Sequence, residues 1–275
     1  MGNSRLTALL AALALCAIAL FAAGCGDDDD DGAGGGDGGG GQTLTVGSDV
    51  PYPPFEQFGE SKTEFTGFDV ELVEAVAEKL GREAKFVDTS FDTIFRDLAQ
   101  GKFDMVASAT TITPEREKTV DFSDPYYLAE QAILVKEGSD VKSAEDLADM
   151  TVGVQQGTTG QEYVEEETEA GEVRPYPEGP DMVTPLRGGT IDAAVLDIPV
   201  AEKLAESQPG IEVSAEIKTG EEYGLVVQQG EEDLLDEVNE ALQEIKDDGT
   251  LNDLYEKWLE VEAPQELLSA THEPS

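Results

Sequence analysis

Short β-rich runs that alternate with amphipathic helical stretches are the feature of this chain that most restricts its fold. From residue 43 the pattern predicts three strands separated by two helices. The strands span residues 44–47, 85–87 and 103–107. Asp69 is expected to cap the first helix, which Gly81 ends, and the second helix spans residues 92–100. This β-α-β-α-β order is typical of an α/β sheet covered by helices.

The same alternation resumes after Lys136 and predicts a second α/β unit. Its strands are expected at residues 151–154, 191–196 and 223–228. Its helices are expected after Ser143, after Thr159 and from Asp197, followed by a long helix over residues 234–245 that Gly249 ends. Two successive units of this size predict two lobes rather than one continuous sheet.

Polar residues follow the predicted strands in both units. In open α/β sheets, ligands bind beyond the carboxyl ends of the strands. That rule directs attention to four positions, which are Asp49, Ser108, Thr158 and Asp197.

The first 25 residues have the pattern of a secretory signal, with Arg5 followed by the apolar run 6–23. The run is nearly long enough to span a bilayer, so an uncleaved anchor is the alternative. The segment Ala22-Ala23-Gly24-Cys25 resembles the lipobox of bacterial lipoproteins, although most lipoboxes have Leu where this chain has Ala22. The resemblance favours cleavage and a lipid attached to Cys25.

The segment from residue 26 to residue 42 is predicted to be a flexible tether. It reads GDDDDDGAGGGDGGGGQ and has no apolar surface to bury. The whole chain is also strongly acidic, with 60 Asp and Glu against 17 Lys and Arg and a net charge of −43. Such a surface repels phosphate backbones, which excludes nucleic acid as a partner.

Cysteine and histidine usage restricts the chemistry of the mature domain. The two cysteines are Cys16, inside the apolar run, and Cys25. With Cys25 lipidated, the domain has no thiol for a disulfide, a zinc site or a nucleophile. The single histidine, His272, lies close to the C-terminus, so a histidine-based triad is not expected. We therefore expect no catalytic residues, no metal and no cofactor.

The strongest local motif is SATTITPER, from Ser108 to Arg116. An apolar strand ends here in hydroxyls and backbone amides, and an arginine follows. The planar guanidinium group of arginine matches a carboxylate, and hydroxyls and amides satisfy its other lone pairs. The alternative is a surface Arg116 at a helix start with Ser and Thr caps.

With the DFSDPYY stretch that follows, this motif resembles the polar amino-acid binding proteins of ABC importers, solute-binding family 3. The resemblance covers nearly all of residues 43–260, including GSDVPYPPFE, GFDVELVEAVAEKLG, VGVQQGTT, IDAAVLD and DDGTLNDLYEKW. It implies a type II periplasmic-binding fold, in which two Rossmann-like lobes are joined by two crossing strands. We expect residues 43–129 and 221–275 in the first lobe and residues 130–220 in the second.

The resemblance also implies a ligand pocket. Arg116 matches the arginine that binds the ligand α-carboxylate, and Asp197 matches the carboxylate that receives the α-ammonium. Near the carboxylate, the matching residues are Thr111, Ser108, Ala109 through its backbone N–H, Thr158 and Thr159. Near the side chain they are Asp49, Tyr52 and Phe91, and the positions that vary with ligand choice are Gln155 and Leu196.

Each of these residues has a simpler interpretation. Asp197 serves equally as a helix cap, Tyr52 and Phe91 as core aromatics, and Asp49 as a turn residue. Two other function classes also compete with a binding module, a dehydratase-like enzyme and the sensory domain of a receptor. An arginine and a carboxylate that hold both ends of a zwitterion favour passive binding, and the short polar stretch after Trp258 argues against a receptor.

We therefore expect a monomeric, lipid-anchored extracytoplasmic protein, at the cell surface or in the periplasm. It would bind a free amino acid between its lobes and deliver it to an ABC permease. Gln155 is neutral and Leu196 is apolar, whereas Asp49 adds a carboxylate. The ligand is therefore expected to have either a polar neutral or a cationic side chain.

Overall fold

The computed structural model describes residues 43–274, which lie in one compact unit. The predicted signal segment, Cys25 and the predicted tether lie outside the described residues. The strands are β1 (Thr43–Ser48), β2 (Gln57–Phe58), β3 (Phe65–Thr66), β4 (Glu83–Asp88), β5 (Met105–Val106), β6 (Val120–Phe122), β7 (Tyr127–Lys136), β8 (Thr151–Gln155), β9 (Glu172–Tyr176), β10 (Ala193–Asp197), β11 (Ile211–Tyr223) and β12 (Val226–Gln228).

The α-helices cover both sheets. They are α1 (Phe68–Lys79), α2 (Phe91–Ala99), α3 (Thr159–Glu167), α4 (Val183–Gly188), α5 (Ile198–Ser207), α6 (Glu232–Asp248), α7 (Thr250–Leu259) and α8 (Gln265–Leu268). The long helix α6 ends, as predicted, at Gly249, whose φ of 89° lies in the left-handed region that glycine adopts freely. Within residues 43–274, no helix is both long and apolar enough to cross a bilayer.

Two five-stranded sheets form the framework of the described residues. The first sheet has the order β4-β1-β5-β12-β6, in which β1 is parallel to β4 and β5 while β12 is antiparallel to its neighbours. The second has the order β11-β7-β10-β8-β9, in which β10 is parallel to β8 and antiparallel to β7. Each sheet therefore presents the carboxyl ends of parallel strands, where ligand-binding loops are placed.

The long strands β7 and β11 carry the chain between the two sheets. They pair antiparallel from Ile211 opposite Lys136 to Tyr223 opposite Tyr127. Tyr223 also forms a bridge with Thr111, beside the first sheet. The predicted lobe boundaries fall inside these two strands, and their exact positions stay a prediction.

Several predicted element boundaries differ from the structure. Helix α1 begins at Phe68 after Gly67, and Asp69 does not cap it. Gly67 has a φ of 142°, and a Cβ there would lie 2.1 Å from the carbonyl oxygen of Phe55, so this position requires glycine. The predicted strand 223–228 is divided, because β11 ends at Tyr223 and β12 begins at Val226 in the other sheet. The predicted strand 103–107 is reduced to β5.

A surface groove receives side chains from helices that cover the two sheets. Its empty volume is about 670 Å³. Ile198 and Pro199 of α5, Trp258 of α7 and Tyr127 at the start of β7 line it.

Candidate functional site

A cavity with an empty volume of about 290 Å³ lies at the carboxyl ends of the parallel strands of both sheets. It brings together residues that are far apart in sequence. They are Asp49, Tyr52, Phe91, Ser108, Ala109, Thr111, Arg116, Gln155, Thr158, Thr159 and Asp197. Of the predicted pocket residues, Leu196 is not in the cavity lining. It is buried in the apolar core, so the structure does not support the expected direct role of its side chain in ligand choice.

Arg116 begins a short 3-10 helix, and its half-buried side chain lines the cavity. The guanidinium group lies 5.3 Å from the ring centre of Phe91 and 5.2 Å from that of Phe95. It donates to the carbonyl oxygens of Thr111 at 2.7 Å and Gly157 at 3.2 Å. Within the described residues it has no carboxylate partner within 4.0 Å. Burial lowers the pKa of Arg116 to about 10, against the opposing effect of the nearby Glu221 and Asp197 carboxylates, so it remains a cation at neutral pH.

Asp197 is the residue before α5, yet its side chain makes no capping hydrogen bond. Instead, the Tyr52 hydroxyl donates to Asp197 Oδ2 at 2.5 Å and Gln131 Nε2 donates to Asp197 Oδ1 at 2.5 Å. Burial, followed by the nearby Glu221 carboxylate, raises the pKa of Asp197 to about 6. Asp197 is therefore a buried carboxylate of the cavity rather than a helix cap, and it accepts from Tyr52, which was predicted to lie near the ligand side chain.

Asp49 marks another part of the cavity. Gln155 Nε2, from the end of β8, donates to Asp49 Oδ2 at 2.6 Å, so the contact joins a residue beside the first sheet to one in the second. Burial raises the pKa of Asp49 to about 7, with further contributions from the carboxylates of Glu178 and Asp88. This part of the cavity therefore carries excess negative charge, and within the described residues Asp49 forms no ion pair with a basic side chain.

The Ser108-Ala109 segment corrects one expectation. Ala109 adopts a φ of 44°, and its N–H donates to the buried Asp69 carboxylate at 2.7 Å. The expected ligand contact from this N–H is therefore wrong in this arrangement. The Ser108 hydroxyl donates to buried Glu56 at 2.7 Å and accepts from the Asp49 N–H at 3.0 Å. Buried carboxylates therefore fix both residues, Glu56 through the Ser108 hydroxyl and Asp69 through the Ala109 N–H.

The threonines of the cavity are also hydrogen-bonded to the protein. Thr111 and Thr159 donate their hydroxyls to the same oxygen, Glu221 Oε2, each at 2.7 Å. Thr158 donates to the Gln155 carbonyl at 2.9 Å and caps α3 by accepting from the Gln161 N–H at 3.2 Å. Thr159 is the first residue of α3, so its own N–H has no acceptor within the helix and can serve an anion.

Sequence analysis missed four buried or half-buried polar residues around the cavity. Glu56 and Asp69 lie in the apolar segments PPFE and GFD, where a carboxylate flanked by aromatic residues was an available signal. Gln131 interrupts the apolar run of β7, which is a weaker signal. Glu221 stands beside Glu222 in an acidic run, and nothing in the local sequence distinguishes it.

The described residues show no group of three or more His, Cys, Asp or Glu side chains arranged to hold a metal ion. The cavity instead offers one fixed cation, Arg116, and two buried carboxylates, Asp49 and Asp197. Such a set can bind a small zwitterion, with its carboxylate at the arginine and its ammonium at an aspartate.

Residues 44–261 match the model of the bacterial extracellular solute-binding proteins, family 3. The chain is 36% identical over 219 residues to the L-cystine-binding protein TcyJ of Escherichia coli (strain K12), covering 78% of this chain and 82% of that protein.

Solved structures agree with the sequence match. The arginine-, lysine-, histidine-binding protein ArtJ of Geobacillus stearothermophilus is similar at a TM-score of 0.77 and 34% identity, covering 82% of this chain and 99% of that chain. The ancestral amino acid-binding protein AncCDT-1, a precursor of cyclohexadienyl dehydratase, is similar at a TM-score of 0.74 and 42% identity, covering 78% and 95%. The predicted two-lobe type II periplasmic-binding fold is confirmed. This chain belongs to the bacterial extracellular solute-binding proteins, family 3.

Proposed function

We propose that this chain is the extracytoplasmic substrate-binding component of an ABC importer and that its ligand is a free cationic amino acid, with L-arginine as the first candidate. The observation that carries this proposal is that the half-buried guanidinium group of Arg116, which is in no ion pair within the described residues, lines the same cavity as Asp197. Binding by lobe closure fits this arrangement, because the two groups belong to different sheets and one zwitterion would bridge them.

The ligand α-carboxylate would bind the guanidinium group of Arg116 and the N–H of Thr159. The α-ammonium would bind Asp197, which Tyr52 and Gln131 already hold in place. The side chain would extend between Tyr52 and Phe91 toward Asp49.

A cationic side chain is favoured over a polar neutral one by the charge around Asp49. Glu178 and Asp88 add negative potential there, and a guanidinium or ammonium group would relieve it. The similarity to ArtJ, named for arginine, lysine and histidine, supports the same class. Glutamine is the neutral competitor, since the Gln155 amide offers it a hydrogen-bonding partner.

Isothermal titration calorimetry against the standard amino acids tests the proposal. The chain from residue 25 onward, with Cys25→Ser, is expected to bind L-arginine with a dissociation constant near about 1 μM, a free energy of about −8 kcal/mol. Glutamine is expected to bind more weakly. If no α-amino acid produces heat, the proposed function fails, and if only neutral ones do, the charge argument fails.

Passive binding is proposed over catalysis, although AncCDT-1 is a dehydratase precursor. An enzyme of that kind requires a general acid above the substrate, whereas here the two charged ends of a zwitterion are both bound. Chromatography of L-arginine after prolonged incubation with the protein is expected to show no conversion. A new product would contradict the passive role.

We also propose a lipid anchor at Cys25, supported by the lipobox-like segment that precedes it. Cys25→Ser is expected to release the protein from the membrane fraction, and continued membrane association would favour an uncleaved anchor. The protein is proposed to act as a monomer, which light scattering after size exclusion measures directly.

A further inference from the structure

Glu221, on the long strand β11, makes three hydrogen bonds to residues around the cavity. Its Oε2 accepts the hydroxyls of Thr111 and Thr159, each at 2.7 Å. Its Oε1 accepts from Gln131 Nε2 at 3.1 Å. The same Gln131 nitrogen donates to Asp197 Oδ1 at 2.5 Å, so the carboxylates of Glu221 and Asp197 share one amide group.

The two threonines line the cavity from opposite sides. Thr111 lies in the loop after β5 of the first sheet, and Thr159 begins α3 after β8 of the second. A threonine hydroxyl has one hydrogen to donate and two lone pairs to accept with. Both hydrogens are donated to Glu221, so toward a ligand these hydroxyls offer lone pairs only. They can accept from an ammonium group but cannot donate to a carboxylate.

The geometry points to Glu221 as a positioning residue that orients the Thr111 and Thr159 hydroxyls as acceptors for the ligand α-ammonium, beside Asp197. This inference rests on the proposed function, since it assigns the ammonium site of the same ligand. It also changes the expected role of Thr111, which the family resemblance placed near the α-carboxylate. The α-carboxylate is left with Arg116 and the N–H of Thr159.

The charges around Gln131 support the same assignment. Asp197 and Glu221 accept from one amide nitrogen, with no basic side chain of the described residues in an ion pair with either. Glu221 is also the principal carboxylate that raises the pKa of Asp197, after burial itself. Arg116 is a cation near enough to interact with both carboxylates, and an ammonium group placed between Asp197 and the two threonines adds a second positive charge to balance them.

Glu221→Gln tests the inference with a change of charge and almost none of size. Both threonines donate to Oε2, so the glutamine amide has two orientations: its NH2 group faces both hydroxyls and turns their hydrogens toward the cavity, or it faces Gln131 Nε2. The second orientation sets two donors against each other, since Gln131 Nε2 already donates to Asp197, so we expect the first. Binding of L-arginine is expected to weaken at least about tenfold, because the ammonium loses an acceptor and meets a donor. Binding of 5-guanidinopentanoic acid, which is arginine without its α-amino group, is expected to change less than about threefold by the same reasoning.

Glu222→Gln is the matched control. It makes the same charge change at the next residue, which is exposed and lies outside the cavity. Thermal unfolding of both variants shows whether either has lost its fold. If wild-type protein binds no amino acid, the proposed function fails. If it binds arginine and the Glu221→Gln variant behaves like the Glu222→Gln variant, only this inference fails.

A second experiment uses L-arginine as its only ligand. Thr159→Val removes one of the two hydroxyls, and its cost in arginine affinity is expected to be smaller in the Glu221→Gln background than in wild type. If the double variant loses arginine affinity by the product of the two single fold-losses, the inference is overturned. Tighter arginine binding by Glu221→Gln would also overturn it, because it would show that Glu221 competes with the ligand carboxylate.

Discussion

Arg116 and Asp49 both line the cavity, but they differ in how strongly their charged form is favoured at neutral pH. Arg116 packs beside the rings of Phe91 and Phe95, and burial lowers its pKa only to about 10. Asp49, near Glu178 and Asp88, has its pKa raised by burial to about 7. At neutral pH the guanidinium group is therefore charged, whereas the carboxyl group of Asp49 is near its pKa. A cation bound beside Asp49 would favour the ionised carboxylate. The first suits the carboxylate that all amino acids share, and the second suits a side chain that differs among them.

Removing the fixed charge is the most direct way to break this comparison. Arg116→Ala is expected to weaken binding of every amino acid at least about a hundredfold, because the α-carboxylate is left desolvated without a partner. Calorimetry with arginine and glutamine measures this. Arg116→Lys keeps the charge without the planar guanidinium group and is expected to recover part of the loss. An unchanged affinity in the alanine variant would show that Arg116 does not contact the ligand.

Removing the charge of Asp49 is expected to weaken the binding of arginine more than that of glutamine. Asp49→Asn is expected to weaken arginine binding about ten- to a hundredfold, the worth of a hydrogen bond to a charged group. Glutamine binding is expected to change less than about threefold, because an amide side chain does not require an anion. Competition between the two ligands for the variant gives the ratio. Equal losses for both would place the ligand side chain elsewhere.

The pKa of Asp49 predicts a pH dependence with a definite sign. A cationic side chain stabilises the ionised carboxylate, so below pH 7 arginine binding must release a proton from Asp49 and is weakened. The ratio of arginine affinity to glutamine affinity is therefore expected to rise about tenfold between pH 6 and pH 8 and then to level off. The ratio measured with Asp49→Asn is expected to be flat, and a ratio that falls with pH would contradict the assignment.

The aromatic rings around Arg116 are expected to contribute least. Phe95→Leu removes one of the two rings that face the guanidinium group, and a cation–π contact of about 1 kcal/mol corresponds to a loss of about fivefold. Phe58→Leu is the control, since Phe58 packs against Phe65 and does not line the cavity. A loss from Phe58→Leu as large as that from Phe95→Leu would show a general effect on packing.

Much of the fold could be predicted because helices and strands at a surface leave a periodic pattern in the sequence. The stripe of α6 and its stop at Gly249 are local features, and both are confirmed. The division of residues 223–228 between β11 and β12 could not be read in this way. Which sheet a short apolar run joins depends on partners such as β5 and β7, which are distant in sequence.

The cavity lining was predicted largely because family motifs place those residues after strands. The direction of their hydrogen bonds was not, because each partner lies far along the chain. The Thr111 hydroxyl meets Glu221, 110 residues away, and the Ser108 hydroxyl meets Glu56, 52 residues away. Sequence analysis therefore identified hydroxyls at the site but not whether they donate or accept.

The surface groove between α5 and α7 has an optical consequence. Trp258 is the single tryptophan of the chain, and it lines this groove with Ile198 and Pro199, which belong to the second sheet's helices. Movement of one lobe against the other is expected to change the polarity around the indole ring, and with it the wavelength and intensity of its fluorescence. With Tyr127 in the same groove as an energy donor, intrinsic fluorescence is expected to report closure without an added dye.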